Sequence, residues 1–230
     1  MRRLSVASAL LVSAALGGCS DARIAMPSEL QFSTEQLRLA GMGGWQDGHF
    51  RLRASEGRFS RRATQTKLFN TFVRNVGSGS FEVSGPELGG SAGGRCGFEE
   101  REIDAGVAVL PNDRLTYRCV FHRDGRLVQG GLMLAEVPHG SGLLAGRTRV
   151  GELRLDQFVV NIRPIHHMRG GSLPNGTPLG YSFDVAGRQV GAVDLNGRNK
   201  TIYAPRQPGP ERDAVLMAAL ALSVFWDPGA

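Results

Sequence analysis

The sequence contains no apolar run long enough to cross a bilayer as a helix. Such a helix needs about 20 apolar residues in succession, whereas the two main apolar runs, residues 4–16 and 214–226, have thirteen residues each. The chain is also poor in cysteine, with three residues in all. None of them stands in a C-x-x-C pair, so the spacing typical of zinc and thiol redox sites is missing.

Catalytic and metal-binding patterns are missing as well. The five histidines have no metal-site spacing, and the adjacent pair His166 and His167 would point to opposite faces of a strand. Residues 89–93, Gly-Gly-Ser-Ala-Gly, match the G-x-S-x-G nucleophile elbow, but that motif requires a strand-to-helix turn and no helix follows here. No carboxylate pair suggests acid–base catalysis. We therefore expect no enzyme activity, no metal and no cofactor.

The first nineteen residues resemble a bacterial lipoprotein signal. Arg2 and Arg3 precede the apolar and small-residue run 4–16, and Leu16-Gly17-Gly18-Cys19 forms the box at which such signals are cut. We expect residues 1–18 to be removed as a signal peptide. Cys19 would then carry a diacylglycerol on its sulfur and a fatty acyl chain, such as palmitate, on its amine. Two or three chains together anchor a protein stably.

The residue after the lipidated cysteine indicates the target membrane. Ser20 stands where an aspartate would favour the inner membrane of a Gram-negative bacterium. We therefore expect an outer-membrane lipoprotein on the periplasmic face, with a tether over residues 19–30 and a single domain over 31–230. Removing residues 1–18 lowers the formal net charge from +6 to +4. That charge is too low for a nucleic-acid binder.

Two cysteines remain in the domain. In an oxidising periplasm Cys96 and Cys119 are expected to form a disulfide, which would stabilise the fold by roughly 3 kcal/mol. The alternative is a pair of reduced thiols that are buried separately.

The composition of the domain outside the signal peptide and tether indicates an all-β fold. Thirty-two glycines and eleven prolines separate short runs of aromatic and β-branched residues. Asp124-Gly125 and Asn196-Gly197 favour tight hairpins. We place a further turn at residues 77–79 and a glycine-rich loop at 84–97. About ten to twelve strands result, a number that closes into an antiparallel barrel; the alternative is a β-sandwich with a packed C-terminal helix.

One segment is predicted to be helical, residues 211–226. Pro210 and the acids Glu211 and Asp213 suit a helix start, and residues 214–226 carry no charge. On a helical wheel this run is apolar on every side, so it must be buried in protein or membrane. It spans about 20 Å, too little for a bilayer. We therefore expect the barrel to enclose this helix.

The last fifty residues resemble the tubby-like family, which includes tubby proteins, LURP-one-related proteins and phospholipid scramblases. Residues 180–193 (Gly-Tyr-Ser-Phe-Asp-Val-Ala-Gly-Arg-Gln-Val-Gly-Ala-Val) are similar to its penultimate hairpin, and residues 213–227 are similar to its closing helix. The resemblance implies a β-barrel around a hydrophobic C-terminal helix, and an association with lipid headgroups or membrane surfaces.

A basic stretch is the main candidate for ligand contact. Six cations fall within seventeen residues, offset by Glu56: Arg51, Arg53, Arg58, Arg61, Arg62 and Lys67. Such a face would gain about 1 kcal/mol per charge near an anionic lipid surface. The alternative is a solvated face that keeps an edge strand soluble.

These observations predict a lipid-anchored, non-enzymatic binding module for lipid headgroups or another envelope ligand. Its partners would be the membrane, through the N-terminal lipid, and an acidic lipid or an envelope protein, with no nucleic acid. The alternatives are an accessory or assembly subunit of an envelope complex and, third, a periplasmic hydrolase with dispersed catalytic residues.

Overall fold

The computed structural model describes residues 23–43, 46–68, 72–104, 109–137 and 148–226. The predicted signal peptide and Cys19 lie outside these ranges. The helices are α1 (Ser28–Ser33), a single 3₁₀ turn (Pro86–Leu88) and α2 (Pro210–Val224). The strands are β1 (Thr34–Ala40), β2 (Asp47–Leu52), β3 (Ser55–Leu68), β4 (Phe72–Gly85), β5 (Gly90–Asp104), β6 (Val109–Arg123), β7 (Arg126–Leu127), β8 (Gly130–Val137), β9 (Thr148–Leu155), β10 (Phe158–Ile165), β11 (Gly180–Val185), β12 (Arg188–Asp194) and β13 (Lys200–Pro205).

Twelve of these strands form one closed antiparallel sheet. The order around the ring is β5-β4-β3-β2-β1-β13-β12-β11-β10-β9-β8-β6, and pairing of β6 with β5 completes it. The two-residue β7 pairs with β6 beyond the predicted Asp124-Gly125 turn, where both residues have positive φ. The sheet is therefore a barrel, as predicted, and the alternative of a two-layer sandwich is wrong.

The barrel encloses α2. All residues from Ala214 to Val224 are buried, with at most 3% of their surface exposed, and strands from all sides of the ring pack on them: β3, β4, β5, β9, β10, β12 and β13. The helix starts with Pro210 in its first turn, together with the acids Glu211 and Asp213, which complement the positive end of the helix dipole. The prediction of a buried C-terminal helix is confirmed.

Two expectations about glycine are wrong. The predicted turn at 77–79 lies inside β4, and most of the predicted loop at 84–97 belongs to β5. The glycines here make room for aromatic rings: a Cβ on Gly77 would lie 2.1 Å from the Phe98 ring, and one on Gly94 would lie 2.6 Å from Phe81. The interior of the barrel, and not a turn, requires these glycines.

Glycine also lets the strands approach the helix. A Cβ on Gly79 would lie 3.1 Å from the Val224 carbonyl oxygen, and one on Gly191 would lie 2.7 Å from the Val215 side chain. Because a barrel interior filled by a helix leaves little space, a side chain at Gly191 on β12 would force its neighbours to move, and one at Gly79 on β4 would be tightly packed.

The N-terminal segment packs on the outside of the barrel from Arg23 onward. The Ile24 amide donates to Asp194 Oδ2 at 3.1 Å, and the Ala25 amide donates to the His167 carbonyl at 2.8 Å. Ile24 and Leu30 are buried in a small second core, together with Leu179, Ala192 and Tyr203. The part of the predicted tether from residue 23 to residue 30 is therefore fixed to the domain.

The predicted disulfide joins two neighbouring strands. Cys96 on β5 and Cys119 on β6 are directly opposed, with Cα atoms 4.0 Å apart, and both face the core. The sulfurs are bonded, so the alternative of two separate thiols is wrong.

Removing this bond is expected to lower the free energy of unfolding by about 3 kcal/mol, because it closes a loop between residues 23 positions apart. Urea denaturation of the oxidised protein with and without dithiothreitol measures the change. The Cys96→Ala/Cys119→Ala variant, with no bond to reduce, serves as the control and should not respond to the reductant. Equal midpoints for the reduced and oxidised parent would contradict the prediction.

Candidate functional site

One end of the barrel opens into a cavity of about 490 Å³, which we call the mouth cavity. It lies where α2 ends, and its walls come from β3, β11, β13, the loop before β11 and the C-terminal end of the helix. Arg61, Tyr181, Lys200, Ser223 and Trp226 are among its lining residues. The volume is in the range of small-ligand sites. Among the described residues that line it, two are cations and none is an acid.

Arg61 reaches the mouth cavity from the inner face of β3. Its guanidinium carbon lies 5.3 Å from the Phe59 ring centre and 5.6 Å from the Trp226 ring centre, and its Nη2 donates to the Met42 carbonyl at 3.2 Å. Burial lowers the pKa of Arg61, so the charge is partly stripped of water. A desolvated guanidinium offers a directional fork of donors to an anion.

Lys200 is the second cation of the mouth cavity, at the start of β13. Its Nζ donates to the carbonyl oxygens of Leu195 and Gly197, the latter at 3.1 Å. Burial lowers the pKa of Lys200, and repulsion from Arg61 lowers it further, while Asp194 opposes the shift. The two positive charges therefore act on each other, and an anion placed between them would relieve that repulsion.

The C-terminal end of α2 adds aromatic rings beside the cavity. The Tyr117 hydroxyl donates to the Ala221 carbonyl at 2.8 Å, and burial holds the pKa of Tyr117 above its usual value. The Phe225 ring contacts Tyr117 at 4.6 Å and lies 5.4 Å from the guanidinium carbon of the buried Arg149. Cations near a helix C-terminus are favoured by the helix dipole.

The structure separates Arg61 from the rest of the predicted basic stretch. Three members are in contact with carboxylates: Arg51 with Glu56 at 3.8 Å, Arg53 with Glu35 at 2.8 Å, and Arg62 with Asp47 at 2.8 Å. Arg58 lines a second cavity, of about 390 Å³, that Asp47 and Glu82 also line, and Lys67 lies exposed near the end of β3. The outer surface at this stretch is therefore mixed in charge.

The alternation of a strand explains this division. Phe59 and Arg61 share the inner face of β3, so Arg62 must point outward. There, hydrogen bonds to Asp47 raise the pKa of Arg62 and lower the pKa of Asp47. Side chains alternate between the two faces of a strand, so the apolar Phe59 two residues earlier was a sequence signal that Arg61 faces the interior. Lys200, Tyr181 and Trp226 were missed because they come from distant parts of the chain.

The other sequence patterns occupy structural positions. Ser91 lies at the start of β5, with its amide donating to Asp124 Oδ1 at 3.0 Å, and not on a strand-to-helix elbow. His166 Nδ1 lies 2.9 Å from the Asn175 carbonyl oxygen. Within the described ranges no group of three His, Cys, Asp or Glu side chains could hold a metal ion. In the same ranges no helix is both long and apolar enough to cross a membrane.

Comparison with known proteins adds no relative: the chain matches no family model, no curated protein and no solved structure.

Proposed function

We propose that this chain is a lipid-anchored, non-enzymatic envelope protein whose barrel binds the phosphate-bearing headgroup of a membrane lipid in the mouth cavity. The anchor is the acylated Cys19, at the periplasmic face of the outer membrane. The tubby-like resemblance of the last fifty residues is part of the same proposal. The observation that carries it is the pair of partly desolvated cations, Arg61 and Lys200, in one cavity.

The position of the cavity relative to the N-terminus favours a membrane ligand. Leu179 lines the mouth cavity and also packs in the small core with Ile24 and Leu30. Asp194 accepts the Ile24 amide and acts on the charge of Lys200. The cavity therefore lies on the side of the barrel to which the anchor segment is fixed, and a headgroup of the same membrane is within its reach.

The chemistry of the cavity suits a headgroup better than a bare ion. Tyr181, Leu222 and Trp226 give it an apolar wall, while Arg61 and Lys200 supply charge. Pockets of this kind use apolar contact for affinity and a few polar groups for orientation. A glycerophosphate with the first carbons of its acyl chains presents both surfaces.

Binding is tested with short-chain phosphatidylglycerol and with glycerol phosphate, titrated calorimetrically against the purified protein. We expect Arg61→Gln and Lys200→Gln each to weaken binding by at least about 10-fold, since a hydrogen bond to a charged group contributes about 1.5–3 kcal/mol. Arg62→Gln is the matched control, because Arg62 is the next residue on β3 but faces outward. It should bind like the parent.

Two results would contradict the proposal: no binding of either probe by the parent, or equal loss in the Arg61 and Arg62 variants. Tighter binding of the lipid than of glycerol phosphate would indicate that the apolar wall takes part. A stoichiometric envelope protein that co-purifies with a chain lacking headgroup affinity would instead favour the accessory-subunit alternative.

The affinity should fall as pH rises. Burial and Arg61 lower the pKa of Lys200 from its usual 10.5, so its positive charge is lost at a lower pH than that of an exposed lysine. An anion prefers the charged form; binding is therefore strongest below the pKa of Lys200 and weakens through it, with proton uptake in that range. Titrations across the alkaline range measure this. Lys200→Arg, which keeps its charge, should remove the fall, and a persistent fall would contradict the assignment.

A further inference from the structure

A second basic site lies outside the barrel, beside the segment that leads to the anchor. It is a polar recess of about 320 Å³ on the outer wall of β1 and β13, lined by Arg23, Gln36, Arg38, Asn199 and Thr201. Two of these described lining residues are cations and none is an acid. Arg23 Nη1 donates to Thr201 Oγ1 at 2.6 Å, which holds the guanidinium against the wall.

A third cation and two exposed apolar side chains belong to the two elements that adjoin this recess, the loop before β11 and α1. The Arg169 amide donates to the Arg23 carbonyl at 2.7 Å, which joins the loop before β11 to the N-terminal segment. Leu173 on that loop is 81% exposed, and Phe32 on α1 is 80% exposed. We call Arg23, Arg38, Arg169, Phe32 and Leu173 the anchor-side face.

The acids nearby offset this face only in part. Glu29 on α1 is exposed, and its single negative charge stands against three arginines, whereas Glu35 on β1 is engaged by Arg53 and Arg212. Asp194 is buried and accepts the amides of Ile24 and Asn196. Exposed arginines beside exposed large apolar side chains are the combination found in segments that lie at a membrane interface.

The length of the chain between the anchor and the barrel brings the membrane to this face. Four residue steps separate Cys19 from Arg23, and an extended chain covers at most about 14 Å over that number. Arg23 is itself fixed to the barrel by Thr201 and by the loop before β11. When the acylated Cys19 lies at the level of the lipid headgroups, this short link keeps the wall that carries Arg23 close to the membrane. The opposite wall of the barrel is then the farther one from the bilayer.

We propose that the anchor-side face docks on the anionic surface of the membrane that holds the lipid anchor, with its arginines on lipid phosphates and Phe32 and Leu173 among the headgroups. The proposal rests on the anchor proposed above. Docking orients the barrel so that the mouth cavity, which shares the loop before β11, opens beside the lipid surface.

The test uses the full chain, acylated in a Gram-negative host and reconstituted in vesicles that contain phosphatidylglycerol. A nitroxide on Leu173→Cys reports depth from its relative collisions with oxygen and with a water-soluble nickel complex. The control label is Leu127→Cys, a similarly exposed leucine, 74% exposed, that follows the Asp124-Gly125 turn after β6. Strand β6 lies opposite β13 in the ring.

We expect the Leu173 label at headgroup depth and the Leu127 label in water. Neutralising Arg23, Arg38 and Arg169 to glutamine should weaken the contact by about five-fold per charge, and high salt should do the same. The charge-matched control replaces Arg118, Arg126 and Arg154, which are exposed on β6, β7 and β9, and should keep the Leu173 label at the same depth.

A Leu173 label as exposed to water as the Leu127 label, on vesicles that retain the acylated protein, would overturn the docking face and leave the anchor intact. A deeper Leu127 label would overturn it as well. Mass spectrometry that finds Cys19 without acyl groups would overturn the anchor and the docking face together. If the mouth cavity binds no headgroup while the Leu173 label stays at headgroup depth, only the proposed ligand of the cavity is contradicted, and the docking face is kept.

Discussion

Replacing Ala218 by glutamate is expected to leave the chain unable to fold. Ala218 is fully buried at the middle of the uncharged part of α2, and the barrel surrounds it. Burying an isolated carboxylate is so costly that it takes up a proton instead, and an unsatisfied polar group still costs about 2–7 kcal/mol. The added volume costs about 1–3 kcal/mol more. Together these approach the entire stability of a typical domain, about 5–15 kcal/mol.

Thermal unfolding followed by circular dichroism, with size-exclusion chromatography, measures this effect. Ala54→Glu is the matched control, because Ala54 is exposed in the turn between β2 and β3, and it should stay within about 0.5 kcal/mol of the parent. The Ala218→Gln variant adds a side chain of nearly the same volume and polarity but without an ionisable group. Comparing it with Ala218→Glu therefore shows how much of the destabilisation comes from the carboxyl group itself. A soluble Ala218→Glu protein with a cooperative transition near that of the parent would show that the helix is not enclosed.

Replacing Arg212 by methionine is expected to lower the free energy of unfolding by about 3–5 kcal/mol. Arg212 is 5% exposed in the first turn of α2. Its guanidinium donates to Glu35 Oε1 at 2.5 Å, to Glu87 Oε2 at 2.6 Å and to the Pro205 carbonyl at 2.5 Å. It thereby joins the start of the helix to β1, to the 3₁₀ turn and to the end of β13. Without it, two largely buried carboxylates keep only the half-exposed Arg53, whose guanidinium lies 2.8 Å from Glu35 and 3.9 Å from Glu87.

Urea denaturation of the variant measures the loss. Arg53→Gln tests the outer side of the same network, since Arg53 also contacts Glu35 but is half exposed, and it should cost less than about 1 kcal/mol. Adding Glu35→Gln and Glu87→Gln to Arg212→Met should recover much of the loss, because it removes two carboxylates whose charges the half-exposed Arg53 compensates only in part. No recovery in the triple variant would show that Arg212 acts through packing alone.

The candidate site could be predicted only in part. The cationic stretch at residues 51–67 contains Arg61, but it also contains arginines that the fold pairs with carboxylates on its outer surface. The Arg53–Glu35 pair depends on β1 lying beside β2, whereas the Arg51–Glu56 and Arg62–Asp47 pairs depend on the register of the β2–β3 hairpin. Lys200 joins Arg61 in the cavity because β13 pairs with β1 and so lies three places from β3 in the ring, although the two residues are far apart in the chain.

The sequence by itself determined the class of fold. A thirteen-residue helix that is apolar on every side must be buried, and in a chain of short β segments only surrounding strands can bury it. In the structure the strands of the barrel surround it. The disulfide followed from an even pair of cysteines in the domain, and one tight turn followed from Asp124-Gly125, because these depend on composition or on adjacent residues. The predicted tight turn at Asn196-Gly197 is instead a five-residue connection, residues 195–199, between β12 and β13. The signal peptide and Cys19 stay predictions of the same local kind.

Only the tertiary structure decided what the glycines and the cations do. From the sequence, Gly77 and Gly94 are predicted to be turn and loop residues. In the structure they make room for the Phe98 and Phe81 rings in the barrel interior. The N-terminal segment is predicted to be a tether, but Ile24 and Leu30 are buried in a small core with Leu179 and Tyr203. In each case the deciding contact joins residues on separate elements. Local propensity carries no information about such contacts, because they exist only after the strands have paired and the barrel has closed around its helix.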